Sequence, residues 1–189
     1  MSVLIDSYSE GVTSTLMFGG ASQPMAIGQS FTNTSLLKLS SSKFYTRQRG
    51  TPSGNVTARL YAHTGTFGTS SKGTGSALAI SDSIAATGIT NYGLTEFTFS
   101  GANKYELQPS TYYVIVFYYD GISGADSDNC VLVGADQSSP THEGNKCYIS
   151  ESTGNWVSSD FDTQFYVYGE ETTPVIGGKY PLPAFKIIS

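Results

Sequence analysis

Apolar and polar residues alternate along much of the chain. The stretch 55–63 is the most regular, because every second residue in it is apolar. This period of two predicts a strand whose inner face carries Val56, Ala58, Leu60 and Ala62, and whose outer face carries Thr57, Arg59, Tyr61 and His63. Similar stretches between turn residues predict eight to ten strands, at 26–32, 36–47, 55–63, 77–84, 94–100, 104–107, 111–119, 131–135, 146–150 and 163–168.

No stretch shows a convincing helical period, and the composition agrees. The chain has 189 residues, with 21 glycines and only 13% charged residues. We therefore predict an all-β fold over residues 1–169, an antiparallel β-sandwich with jelly-roll or Greek-key connections. A bulge is expected at Ser40–Ser42, where the alternation slips, and residues 64–76 are expected to form a loop.

The stretch 111–119 is apolar on both faces. In a two-layer sandwich only one face of a strand belongs in the core, so the other face would normally be polar. Either something covers that second face, namely a terminal segment, a neighbouring subunit or a ligand, or its tyrosines reach water.

Residues 170–189 differ in composition from the rest. Pro181 and Pro183 favour an extended path, yet the segment is too apolar for a solvated tail. We expect an extended C-terminal arm that docks on its own domain as an edge strand, on a sister subunit or on a partner. The apolar residues that would dock are Val175, Ile176, Tyr180, Leu182, Phe185, Ile187 and Ile188.

Charge and apolar length exclude some partners. The formal net charge is −5 and the basic residues are scattered, which argues against a nucleic acid ligand. No apolar run is long enough to span a membrane. The residues after Met1 do not resemble a secretory signal, which favours synthesis in a cytoplasm.

The two cysteines are expected to be free thiols. If strands 131–135 and 146–150 paired as a hairpin, Cys130 and Cys147 would be out of register and too far apart for a disulfide.

Catalytic and metal signals are weak. The two histidines, His63 and His142, have no nucleophile motif or zinc spacing around them, so we predict no catalytic residues and no cofactor. Asp126 and Asp128 are weak calcium candidates, because they offer hard oxygen ligands in a loop. The alternative is that these carboxylates cap backbone N–H groups of a turn.

Aromatic side chains on loops or on an outer sheet face could bind a carbohydrate. The loop aromatics are Phe67, Tyr92 and Trp156, and Arg59, Tyr61 and His63 form an outward strip. Ordinary packing at the rim of the sandwich would also explain each of them.

Several motifs together resemble a known family. Residues 27–32, the turn and strand at 50–68, residues 97–101, 110–116 and 138–142, and the sequence Phe165-Tyr166-Val167-Tyr168-Gly169 occur in this order. This order resembles the choice-of-anchor group of bacterial and phage β-sandwich modules, over about residues 6–169. The resemblance implies a jelly-roll-like, non-catalytic surface module.

Three functions are compatible with these features. The first is a phage or virus structural protein, such as a capsid decoration, tail-tip or fibre head, made in the host cytoplasm and displayed on the virion surface. It would form a homo-oligomer, with a trimer favoured, and contact other virion proteins. The alternative is a carbohydrate-binding or adhesive module on a bacterial surface, and the third is a glycoside-cleaving enzyme. A virion protein of this kind could also bind a host glycan.

Overall fold

The computed structural model describes residues 2–18, 24–121, 126–150 and 152–172, which form two antiparallel sheets. The first sheet contains β1 (Ser2–Tyr8), β2 (Ser14–Met17), β4 (Leu37–Arg49), β8 (Gly93–Thr98), β9 (Glu106–Leu107), β11 (Cys130–Asp136), β14 (Asp162–Thr163) and β15 (Phe165–Glu171). The second contains β3 (Pro24–Asn33), β5 (Asn55–Thr64), β6 (Lys72–Ile80), β7 (Ile84–Ala85), β10 (Thr111–Tyr119), β12 (Lys146–Ser150) and β13 (Trp156–Ser159).

The two sheets form a sandwich, which confirms the predicted fold class. The first has the order β1-β15-β4-β11-β14 and the second the order β13-β12-β3-β10-β5-β6. The chain crosses from one sheet to the other repeatedly, as in β3 to β4 to β5, so the long connections bridge the two layers. Two short 3₁₀ turns, Ala86–Gly88 and Gly101–Asn103, are the only helical elements in the described part of the chain.

No helix within the described ranges has the length and hydrophobicity needed to cross a membrane.

Sequence periodicity located most of the central strands but missed those at the periphery. The predicted bulge in β4 is present: the register with β15 shifts so that Tyr168 pairs with Ser41 and Gly169 with Leu39, leaving Ser40 unpaired. Strands β1, β2 and β13 were not predicted, and β6 begins inside the stretch expected to be a loop. The missed strands lie at or near sheet edges. They also bury little, since β1 has a single buried residue and β13 has none, so their apolar pattern is weak.

Aromatic rings fill the space between the sheets. The Phe117 ring, on β10, lies 5.2 Å from the ring of Phe18, 5.9 Å from that of Phe44 and 5.6 Å from that of Phe97. All four side chains are fully buried. These tilted and edge-on contacts are the arrangement that aromatic pairs prefer, so β10 anchors the main core.

The second face of β10 is buried as well, in a smaller core on the outer side of the second sheet. Val114 and Val116 have no exposed surface there, and Tyr61 is only 7% exposed beneath the Trp156 ring, 5.2 Å away. The second sheet curls until its two ends, β6 and β13, touch. Curvature of the second sheet therefore covers the second apolar face of β10.

This arrangement corrects two predictions. Tyr61 faces away from the main core, as expected, but it is covered rather than presented on an accessible strip. Trp156 lies on a strand, not on a loop, and is half-buried. Tyr112, at the start of β10, is the residue of this face that remains open, with 46% of its surface exposed.

Strand β15 runs to Glu171, two residues beyond the predicted end of the domain. The seven arm residues named above, Val175, Ile176, Tyr180, Leu182, Phe185, Ile187 and Ile188, lie outside the described residues.

Both cysteines are free thiols, as predicted, and both are buried. The expected reason was wrong, because β11 and β12 do not form a hairpin. They belong to different sheets, which places Cys130 and Cys147 in different layers of the sandwich.

Contact between β6 and β13 gives the first prediction. A Cβ atom on Gly73 would overlap the Trp156 indole, so Gly73→Ala should displace the ring and cost about 1–3 kcal/mol of unfolding free energy. Trp156 is the only tryptophan, so its fluorescence emission should shift to the red while urea denaturation reports the stability loss. Gly11→Ala is the control, since a Cβ there meets nothing. Unchanged emission in Gly73→Ala would contradict the curled sheet.

Candidate functional site

A cleft of about 330 Å³ opens at one end of the sandwich. It lies between the end of β1, the end of β3, the loop after β5 and the loop before β12. Its lining combines carboxylates, hydroxyls, one imidazole and one phenyl ring: Asp6, Ser7, Tyr8, Ser9, Glu10, Thr32, Phe67, Thr141, His142 and Glu143.

Asp6 joins strands β1 and β3 at the base of the cleft. A register shift between Leu4 and Asp6 breaks the regular alternation of β1. One carboxylate oxygen then accepts the Ser7 N–H at 2.8 Å, and the other accepts the Thr32 N–H at 3.1 Å. The Asp6 side chain is therefore held by backbone donors on two strands.

His142 is fixed through both ring nitrogens. Nε2 lies 3.2 Å from an Asp6 oxygen, while Nδ1 accepts the Gly144 N–H at 3.0 Å. Because Nδ1 faces a donor, the proton of the neutral imidazole is on Nε2 and points at Asp6. Burial opposes charging of the ring, but the Asp6 hydrogen bond and the carboxylates of Asp6 and Asp162 outweigh it and raise the pKa of His142.

A buried polar network holds His142 from behind. The Gln29 side-chain amide donates to Asp162 Oδ1 at 2.7 Å and lies 3.2 Å from His142 Nδ1, and its oxygen accepts the Thr163 N–H. The other Asp162 oxygen accepts the backbone N–H of His142 at 3.0 Å. Burial raises the pKa of Asp162, although the Gln29 hydrogen bond and His142 act in the opposite direction. Since Gln29 is on β3 and Asp162 on β14, this network links the two sheets beside the cleft.

A second network ties the N-terminal segment to the end of β11. Asp136 accepts hydrogen bonds from the Tyr8 hydroxyl at 2.7 Å, from the Thr13 hydroxyl at 3.0 Å and from the backbone and side chain of Ser138. The Ser138 N–H, followed by the Tyr8 hydroxyl, holds the pKa of Asp136 well below its ordinary value. Burial, together with the Asp136 and Glu10 carboxylates, raises the pKa of Tyr8.

The Phe67 ring lines the cleft and is supported by two further aromatic side chains. The Phe67 ring stacks on the Tyr112 ring with centroids 4.2 Å apart and planes inclined by 13°. His63 packs against both rings, at 6.0 Å and 5.6 Å. Burial lowers the pKa of His63, so its neutral form is favoured beneath the two rings.

A glycine allows the loop that carries Phe67 to reach the opposite wall. Gly68 has a φ of +76°, and a Cβ on it would overlap the Glu143 carbonyl oxygen. Only glycine combines this backbone conformation with such a close approach. The loop between β5 and β6 is thereby held against the loop that carries His142.

Negative charge is concentrated at the cleft. Asp6, Glu10 and Glu143 belong to its lining, and no lysine or arginine is among the lining residues described. Glu10 accepts the Thr141 hydroxyl at 2.5 Å, which places that hydroxyl at the rim. Glu10 and Glu143 are both exposed, so their carboxylates face solvent and can meet a ligand.

The six aromatic and polar candidates from the sequence fall into three places. Phe67 lines the cleft, and His63 packs against the Phe67 ring. Arg59, Tyr61 and Trp156 lie together on the outer side of the second sheet, where the Arg59 guanidinium stacks on Tyr118 at 3.4 Å. Tyr92 stands apart, 59% exposed, stacked on Arg47 of the first sheet at 4.5 Å.

The calcium candidates form a capped turn. One Asp126 oxygen accepts the N–H groups of Asp128 and Asn129 at 2.8 and 2.7 Å, and these bonds lower its pKa. This is the alternative that the sequence left open. Within the described ranges, no group of three or more His, Cys, Asp or Glu side chains is arranged to hold a metal ion.

Sequence reasoning missed most of the cleft. Asp6, Tyr8 and Glu10 come from an N-terminal segment that was not predicted to be a strand, although Ser2–Tyr8 does contain strand-forming residues. The contact between Asp6 and His142 spans 136 positions, and no local pattern encodes it. Tyr112 was noticed only for its place on the doubly apolar strand.

Comparison with known proteins identifies no family. No family model matches the chain, and neither does any curated protein. One solved structure similar to it contains the cysteine protease and lectin-like domains of Cwp84, a surface layer associated protein of Clostridium difficile. The TM-score is 0.44 with 10% identity, over 86% of this chain and 37% of that one. This chain thus spans about a third of that protein chain, and so distant a likeness carries no argument about function.

The Asp136 network predicts how stability depends on pH. A carboxyl whose pKa is lowered on folding stabilises the fold above its unfolded pKa of about 4, and that contribution is lost as pH falls towards the lower folded value. Asp136→Asn should therefore lower the melting temperature by several degrees at pH 7. The difference from the parent protein should shrink as the pH approaches 2.

Circular dichroism melts at pH 7, 4 and 2 would measure this difference. Asp160→Asn, which changes an exposed carboxylate, serves as the control. A gap between Asp136→Asn and the parent protein that stays constant from pH 7 to pH 2 would show that the Asp136 charge is not responsible.

Proposed function

We propose that the protein is a non-catalytic carbohydrate-binding domain and that the cleft at the end of the sandwich binds a neutral glycan. The observation that carries this proposal is that one cleft combines the Phe67 ring, which is supported from behind by its stack on Tyr112, with carboxylate and hydroxyl groups. A sugar ring offers C–H groups to an aromatic surface and hydroxyl groups to hydrogen-bonding partners. Small-ligand sites combine these two kinds of surface.

The charge of the cleft supports a particular class of glycan. Exposed carboxylates of Glu10 and Glu143 accept hydrogen bonds from sugar hydroxyls, and charge-assisted bonds of this kind are the stronger ones. The same carboxylates repel uronic and sialic acids, since no basic residue is among the described lining residues. Neutral sugars therefore suit the cleft better than acidic ones.

The hydrogen bonds of Asp6 and His142 argue against these two groups as general bases. A general base needs a free lone pair within reach of the substrate. The His142 nitrogens are occupied by Asp6 and Gly144, and both Asp6 oxygens accept backbone N–H groups. These groups are committed to maintaining the shape of the cleft.

Binding to a glycan array that contains neutral oligosaccharides and their sialylated or uronic counterparts tests this function. Saturable binding to a neutral glycan is expected. In Phe67→Ala the affinity for that glycan should fall about tenfold, because burying a phenylalanine side chain contributes roughly 1.5–3 kcal/mol and a sugar would cover only one face of the ring. Calorimetry with the best array ligand would measure the change.

Tyr92→Ala is the matched control, because Tyr92 is an exposed aromatic residue that is not among the residues lining the cleft. Equal affinity of Phe67→Ala and the parent protein would exclude the cleft as the binding site. Release of new reducing ends from a bound polysaccharide would instead establish the glycoside-cleaving alternative.

A virion structural role is a second proposal, which the same domain could serve while binding a host glycan. The observation that favours it is the outer edge of β1, which pairs with no other strand in the described part of the chain and where Val3 and Leu4 are 37% and 50% exposed. Such an edge can accept a strand from a sister subunit, as the predicted trimer on a phage particle would require.

Size-exclusion chromatography with light scattering tests the oligomer. A trimer is expected for the parent protein. Val3→Lys should yield monomers, because a charged side chain on an edge strand opposes pairing. A monomeric parent protein would count against assembly through this edge, without bearing on glycan binding.

A further inference from the structure

The outer face of the first sheet carries an aromatic surface that the proposed glycan site does not use. Phe165 and Val167 point into the core, so the alternating Tyr166 and Tyr168 of β15 point outward. Their rings are nearly parallel, inclined by 10°, with centroids 6.5 Å apart. Leu4 pairs with Tyr168 across the strands and is half exposed.

This surface continues across β4 and β8. Tyr45 on β4 lies opposite Leu94, which is 38% exposed. Lys43 lies 5.2 Å from the Tyr168 ring centroid and forms an ion pair with Glu96 at 3.4 Å. Tyrosine is enriched on surfaces that bind other proteins.

The chain itself contains a segment with matching chemistry. Residues 180–185 read Tyr-Pro-Leu-Pro-Ala-Phe. Proline-containing extended peptides dock on parallel aromatic side chains, because the proline ring packs on them and little conformational entropy is lost. Pro181 and Pro183 also lack the N–H needed to extend a sheet edge, which favours docking on a face over strand addition.

The same chain can supply this segment. Strand β15 ends at Glu171, and Tyr168 lies three residues back along it, about 10 Å away. Eight residues separate Glu171 from Tyr180, and they span up to about 30 Å. Attachment to the same chain gives the segment a high effective concentration at the surface. We infer that residues 180–185 dock on the Tyr166–Tyr168 pair of their own chain.

Limited trypsin digestion of the full-length protein tests this docking. Cleavage after Lys179, at the start of the segment, should be slow in the parent protein. Tyr168→Thr keeps a strand-compatible residue but removes one ring, so cleavage at Lys179 should become at least about fivefold faster. Ile80→Thr, an exposed apolar position on the second sheet, is the control and should leave the rate unchanged.

A reciprocal experiment leaves the sheet intact. The double variant Leu182→Asp and Phe185→Asp should make nitration of Tyr166 and Tyr168 by tetranitromethane about fivefold faster, as mapped by peptide mass spectrometry, because charged side chains are excluded from an apolar contact. Nitration of Tyr112, on the other sheet, should stay the same. Unchanged cleavage and nitration rates would overturn the docking. Protection that increases with protein concentration would assign the surface to a neighbouring copy and overturn docking within one chain.

Discussion

The fold depends on burying both faces of β10. One face contributes Phe117 to the aromatic core between the sheets, and the other contributes Val114 and Val116 to the smaller core outside the second sheet. A flat second sheet would leave those valines in water. The curl of the sheet brings β6 against Trp156 on β13 and so shields Val114 and Val116 from water. The shape of this sheet therefore follows from the composition of one strand.

The same strand supports the Phe67 ring that lines the cleft. Tyr112 lies at the start of β10, where the register with β5 brings it beside His63, and the loop after β5 returns Phe67 onto the Tyr112 ring. Across the cleft, Gln29 and Asp162 connect β3 to β14 beneath His142. A buried network of this kind is stabilising only when its members are satisfied, and each of these three side chains has partners. The Phe67–Tyr112 stack therefore fixes one side of the cleft and the hydrogen bonds among Gln29, Asp162 and His142 fix the other, which leaves the cleft little freedom to change shape.

The local pattern of strand and turn residues made the sandwich predictable from the sequence. The cleft could not be predicted in this way. Val56, Ala58 and Leu60 show their burial by spacing alone, because the period of two is local to the chain. The Asp6–His142 contact depends on how two distant loops meet, and nothing in either loop encodes the other. Trp156 illustrates the same limit, since its place over Tyr61 follows from the curvature of a sheet and not from its neighbours in sequence.

The carboxylates of the cleft differ in their hydrogen bonds, since some are bound by the backbone and others face solvent. Asp6 has both oxygens bound to backbone donors, and a carboxylate held in this way serves as part of the wall. Glu143 extends from the loop before β12 into solvent, so bonds from its carboxylate to a ligand replace bonds to water. Such an exchange contributes only the difference between the two bonds. Most of the affinity of a bound sugar would then come from apolar contact with Phe67, while the rim carboxylates select among sugars by charge.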